Sequence, residues 1–254
     1  MPPGDNPLAG DDATMPPGVV AAVIPAAGSG RRFGPATDKL WASLAGKPVW
    51  RHGVERLACR PEVGRVVMAV SVATRGRLRR DAAETLNRLR VELVLGGEER
   101  TDSVRAAVDA VAGDPAIRYV AIHDAARPLV RDEDLAAVFA AAAAVGAAIL
   151  ATPMVGTVKR AGGGDRIETV DRDRLWVAQT PQVFRIDWLL DAYRRHRGRP
   201  ATDDAQLLER CGLPVRLVPG HADNLKITHP EDLAVAEALV ARLAAVSRES
   251  HGPD

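Results

Sequence analysis

The chain is poor in cysteine and aromatic side chains and carries no excess charge of either sign. Cys59 and Cys211 are the only cysteines among 254 residues, and neither sits in a CxxC or Cys/His ligand spacing. That excludes a disulfide framework or zinc module and points to a reducing cytoplasm. Phe, Trp and Tyr make up 4% of the chain. The basic clusters Arg75–Arg80 and Arg194–Arg199 therefore lack the interleaved aromatics of a nucleic-acid binder. With 34 basic against 33 acidic residues, no whole-protein field favours nucleic acid or a membrane surface. The charge-free stretch Leu135 to Ala151 is mostly alanine and is divided by Gly146, so it does not read as a membrane span. The N-terminus lacks the basic and apolar regions of a secretory signal. Residues 1–17, rich in Pro, Gly and Asp, read as a disordered extension, with Met15 as an alternative start because MPPG occurs at 1–4 and 15–18.

What the chain does contain is alternation. Short Val/Ile-rich runs at 19–26, 65–72, 90–97, 119–125, 146–155 and 215–220 are separated by helical spacing at Pro48–Arg60, Gly76–Leu89, Thr101–Ala112 and Asp132–Val145. This predicts an α/β fold: a Rossmann-like, mostly parallel sheet with helices on both faces and ligands beyond the carboxyl ends of the strands. One domain is expected over 18–247, with a tail at 248–254. The alternation lapses at about 152–182, where β-prone pieces flank Gly162-Gly163-Gly164. This reads as a protruding β-arm, and because an isolated two-stranded ribbon is marginal in water, a second copy of the chain is its expected partner. Thr228 to Glu231 reads as a capping box opening a C-terminal helix.

The first apolar run leads into PAAGSGRRFGPATDK (25–39). Its glycines at 28, 30 and 34 fail the dinucleotide fingerprint, and no GK[ST] follows. A glycine turn after a buried strand nevertheless offers backbone N–H groups to an anion, and Arg31, Arg32 and Lys39 add cations. A cation about 4 Å from a phosphate oxygen gains roughly 4 kcal/mol at an effective dielectric of 20, enough for two to anchor a triphosphate. A tight turn needing glycine for positive φ is the plainer alternative.

Together with GGEERTDSV (96–104), HDAARP (123–128), VDRDRLWVAQTPQVF (170–184) and DNLKITHPEDLAVAE (223–237), this loop resembles the 2-C-methyl-D-erythritol 4-phosphate cytidylyltransferases of the non-mevalonate isoprenoid pathway, with the blocks in that family's order. The resemblance implies transfer of CMP from CTP to the sugar-alcohol phosphate by a homodimer with exchanged arms, assisted by Mg²⁺. It assigns Arg32 and Lys39 to the transition state, and Ala26, Ala27, Gly28, Gly97, Glu98 and Ser103 to the nucleotide. Arg127, Thr157, Arg172, Thr180 and Lys226 fall to the second substrate, with Arg172 and Lys226 aligning it for attack. Asp124 is the implied metal ligand and Asp223 a second candidate. The substrate phosphate is already anionic, so the absence of a Ser-His-Asp set or paired carboxylates is expected; the reaction needs alignment and charge neutralisation instead. Asp38 stands where the family usually has proline, Glu98 where Asp is expected, and Gly156 where an acidic residue is common. A ribitol 5-phosphate cytidylyltransferase, or a non-catalytic nucleotide-binding regulator, would share the phosphate chemistry or the fold.

Overall fold

The computed structural model describes residues 14–28, 33, 39–195, 199 and 201–249. Eleven strands and eight helices alternate along these residues. The first half runs β1 (Val20–Ala26), β2 (Ser43–Leu44), β3 (Lys47–Pro48), α1 (Val49–Ala58), β4 (Val63–Val70), α2 (Val72–Asp81), α3 (Ala83–Arg88), β5 (Val91–Leu95), α4 (Arg100–Asp109) and β6 (Tyr119–Ile122). The second half runs α5 (Asp132–Val145), β7 (Ala147–Pro153), β8 (Val158–Ala161), β9 (Ile167–Val170), β10 (Trp176–Arg185), α6 (Ile186–Arg195), α7 (Ala205–Arg210), β11 (Arg216–Pro219) and α8 (Pro230–Glu249).

Seven strands form one sheet in the order β11-β7-β10-β6-β1-β4-β5. Only β10 is antiparallel to its neighbours, β6 and β7. Burial explains why the strand runs lack polar alternation: both sheet faces are covered. On β1, Val20, Ala22, Ile24 and Ala26 enter a core shared with α1, α2, α3 and α5. Ala21 and Val23 point the other way, into a core shared with α4, α6 and α7. A third, smaller cluster joins Leu44, Leu129, Ile227 and Ala236 beneath α8. After β5 the chain returns across the sheet to place β6 on the far side of β1, so the strand order reverses there. A crevice opens at such a point beyond the carboxyl ends of the strands.

Three details depart from the sequence pattern. The stretch expected as one helix over Gly76–Leu89 is two, α2 and α3, broken at Ala82, whose φ of −139° is not helical. The start of α8 is capped by Asp232 rather than Glu231: its Oδ2 accepts from the N–H groups of Thr228 at 2.7 Å and His229 at 2.8 Å. The hairpin is confined to β8 and β9, while residues 176–185 are a full member of the central sheet. Packing also begins before residue 18: Met15 is buried in the first core. No described helix is long and apolar enough to cross a membrane. Residues 1–13 of the expected extension and 250–254 of the tail lie outside the described residues.

Candidate active site

A cavity of about 350 Å³ opens at the carboxyl end of β1, where the strand order reverses. Five segments build its walls: the β1 turn, the turn into α4, the stretch at Lys39 and Leu40, the turn after β6, and the segment preceding α8. Close backbone approach makes the first two meet. A Cβ on Gly96 would lie 2.7 Å from Ala27 Cβ and 2.6 Å from Ser103 Oγ, so only glycine lets the end of β5 settle against the end of β1. Ala26, Ala27 and Gly28 line one wall, and Gly97, Glu98 and Ser103 the other. Ser103 is buried, with its hydroxyl 3.2 Å from the Glu99 carbonyl that accepts from it.

The remaining wall carries the charge. Asp124 follows β6 and is 8% exposed. Lys226 Nζ donates to its Oδ2 at 2.7 Å, Arg100 Nε approaches its Oδ1 at 3.4 Å, and Arg127 Nε lies 3.8 Å from Oδ2. Burial alone would push the Asp124 carboxyl up, but the fields of Arg100, Lys226 and Arg127 and the hydrogen bond from Lys226 hold it well below the usual carboxylate range. Lys39 lines the cavity as well. Its place is set by its neighbours in the chain: Leu40 is buried and its carbonyl accepts from Trp50 N–H at 3.2 Å, while Trp41 meets Trp50 edge-on at 6.2 Å.

Distant segments are tied together to make the Asp124–Lys226 contact. Ile227 N–H donates to the Ala126 carbonyl at 2.8 Å, and Arg127 Nη1 donates to the Asn224 carbonyl at 2.6 Å. Asn224 Nδ2 in turn donates to the Thr180 carbonyl at 2.8 Å. Thr180 itself is buried, and its hydroxyl accepts from the Asp124 N–H at 3.0 Å. His123 completes the support. Burial pushes its pKa down to about 4, so the ring is neutral. The Arg127 carbonyl, 2.9 Å from Nε2, can only accept, which places the proton on Nε2 and leaves Nδ1 to accept from the Thr180 hydroxyl at 3.2 Å.

Other expected residues lie elsewhere. Asp223 does not line the cavity: its Oδ2 accepts from Arg131 at 2.5 Å and from Arg242 at 2.6 Å. Its Oδ2 is thus held by two guanidinium groups, one of them on α8. Thr157 and Arg172 are exposed at the base of the hairpin, where Arg172 Nη1 donates to the Val155 carbonyl. Thr180 supports Asp124 from behind instead of lining the cavity. Arg31, Arg32 and Asp38 lie outside the described residues.

The sequence marks Arg100 at most as capping charge in its turn, and gives no site role to it or to its partner Asp204, yet Arg100 stands on the cavity wall. Arg100 Nη1 meets Asp204 Oδ2 at 2.6 Å, and the two are 104 residues apart. Its position in GGEERTDSV was the one signal available. The donor set also bears on metal binding. Among the described residues no group of three or more His, Cys, Asp or Glu side chains could hold a metal ion. A single buried carboxylate in a cationic cavity suits a magnesium ion that arrives with phosphates and keeps most of its shell from them and from water.

Residues 20–242 match the profile of the 2-C-methyl-D-erythritol 4-phosphate cytidylyltransferase family. The protein of that name from Rhodopirellula baltica is 52% identical over 230 residues, covering 87% of this chain and 94% of its own. Its counterpart from Pelotomaculum thermopropionicum is 46% identical over 225 residues, covering 87% and 94%. The crystal structure of the Thermus thermophilus enzyme superposes with a TM-score of 0.69 at 32% identity, over 87% of this chain and 98% of that one. The chain belongs to the 2-C-methyl-D-erythritol 4-phosphate cytidylyltransferase family.

Proposed function

We propose that the cavity transfers CMP from CTP to 2-C-methyl-D-erythritol 4-phosphate, giving 4-diphosphocytidyl-2-C-methyl-D-erythritol and pyrophosphate. The observation that carries this reading is the meeting of Asp124 with Lys226, Arg100 and Arg127 in the crevice that also holds the glycine turn and Lys39. Such a site can align two phosphates and neutralise charge around the α-phosphorus. The reaction needs no general base, because the attacking phosphate oxygen is already anionic.

In this reading the Gly97 and Glu98 backbone and the Ser103 hydroxyl receive the cytosine, while the backbone at Ala26, Ala27 and Gly28 receives the triphosphate. Lys39, with Arg32 from the adjoining segment, stabilises the charge that builds up as pyrophosphate leaves. Lys226 and Arg127 draw the sugar-alcohol phosphate toward the α-phosphorus. Asp124 would hold Mg²⁺, which when bound neutralises the triphosphate oxygens. Asp124 itself is kept ionised and aimed into the cavity by its cationic neighbours and by the Thr180–His123 support.

Thr157 and Arg172 would act from the hairpin of a second protomer, completing its partner's site. Val155 and Ile167 of the hairpin region are 84% and 71% exposed in the single chain, apolar surface that a homodimer would cover. The unpaired thiols of Cys59 and Cys211 suit a cytoplasmic setting. The test is pyrophosphate release by purified protein with CTP, Mg²⁺ and either 2-C-methyl-D-erythritol 4-phosphate or ribitol 5-phosphate. Release with the first alone is expected; release with ribitol 5-phosphate alone would move the substrate assignment, and release with neither would end the enzyme reading.

A further inference from the structure

We propose that Asp204, which lies outside the cavity, is a positioning residue that holds the Arg100 guanidinium back from Asp124 and so leaves Asp124 Oδ1 open to a divalent cation. This rests on the cytidylyltransferase reading of the cavity. One guanidinium stands between two carboxylates, and the distances show which of them holds it: 2.6 Å from Nη1 to Asp204 Oδ2, against 3.4 Å from Nε to Asp124 Oδ1. The first is a short charge-assisted bond and the second is at the limit of one.

Asp204 cannot follow Arg100, because it is fully buried and its other oxygen accepts from the Tyr193 hydroxyl at 2.7 Å. Its chain segment is pinned as well. Gln182 on β10 donates through Nε2 to Asp203 at 2.8 Å and accepts through Oε1 from Ala205 N–H at 3.3 Å. Arg100 is the first residue of α4, where the helix dipole disfavours a cation, so its place there owes nothing to the helix itself. A carboxylate with no exposure is costly to bury without a partner. Asp204 therefore stabilises Arg100 at a helix end that would repel it and, by the same bond, limits how closely Arg100 approaches Asp124. Were Asp204 lost, the guanidinium could close on Asp124 and compete with the metal for Oδ1.

The test is water-proton relaxation by Mn²⁺ in the presence of CTP, which reports the metal in the ternary complex without requiring turnover. Asp204→Asn, whose side-chain oxygen can still accept from Tyr193, is expected to weaken Mn²⁺ binding about tenfold, as loss of a residue that orients a metal ligand commonly does. Adding Arg100→Ala to that variant is expected to restore binding to within about twofold of the wild type, because the competing cation is gone. A merely structural role for Asp204 would not be reversed in this way. Tyr193→Phe, which loosens Asp204 but keeps both charges, is expected to weaken binding in the same direction by about twofold to threefold, and it decides the matter if Asp204→Asn does not fold. Unchanged binding in the Asp204 and Tyr193 variants, or a double variant no better than Asp204→Asn alone, overturns the proposal. A wild type that forms no ternary complex overturns the functional reading instead.

Discussion

Asp124 is one carboxylate among three cations, and that imbalance is suited to anionic ligands: a triphosphate and a sugar-alcohol phosphate can take over Lys226 and Arg127 as they bind, while Arg100 stays with Asp204. Lys39 lines the same cavity. Lys39→Ala is expected to lower kcat by about 10²–10³-fold, as for the loss of a transition-state donor, with a much smaller change in the KM for CTP. An unchanged kcat at saturating substrates would remove Lys39 from the mechanism. At this scale the sequence was most informative where site residues cluster in short blocks: Gly97, Glu98 and Ser103 in one, Asp124 and Arg127 in another, Lys226 in a third. It was silent on Asp204 and Tyr193, whose importance comes only from contact with Arg100 across the fold. It gave no sign either of the ion pairs of Asp223 with Arg131 and Arg242, which are distant in the chain.

The strands that present these residues were legible because burial on both sheet faces demands continuous apolar runs, and β1, β4, β6 and β7 have them. The glycine closing α5 was equally legible. Gly146 adopts a φ of +92°, and a Cβ there would stand 2.5 Å from Trp188. The end of the arm was not, since WVAQTPQVFR reads as a β segment whether it projects or pairs. What draws it into the sheet is non-local pairing with β6 and β7. The arm itself carries a test of protomer exchange. Arg172→Ala is expected to raise the KM for the sugar-alcohol phosphate at least tenfold while leaving that for CTP within about twofold. If the arm serves the neighbouring site, mixing Arg172→Ala with Lys39→Ala protomers should regain about a quarter of the wild-type rate, because each mixed dimer then has one intact site. No recovery after exchange of protomers would place the arm's action within its own chain.

For the whole molecule, the buried support of the site sets a pH dependence of stability. His123 is neutral in the fold with a pKa of about 4 against 6.5 when unfolded, so the unfolded chain takes up the proton first. Stability is therefore lost as pH falls from about 6.5 toward 4, by up to about 3 kcal/mol from this group. Asp124, depressed from 3.8, adds a loss that begins below its unfolded value. Urea midpoints measured from pH 7 down to about 4.5 should fall for the wild type and flatten in His123→Asn; equal slopes for both would contradict the assignment. Sedimentation of the active enzyme should give a dimer, and a fully active monomer would dismiss arm exchange. The most direct test of the chemistry follows a heavy-oxygen label placed on the phosphate of 2-C-methyl-D-erythritol 4-phosphate, by phosphorus NMR with CTP and Mg²⁺. If this phosphate attacks the α-phosphorus, all the label is expected in the cytidine diphosphate product and none in pyrophosphate. Label in pyrophosphate, or no cytidylylated product, would contradict the central claim.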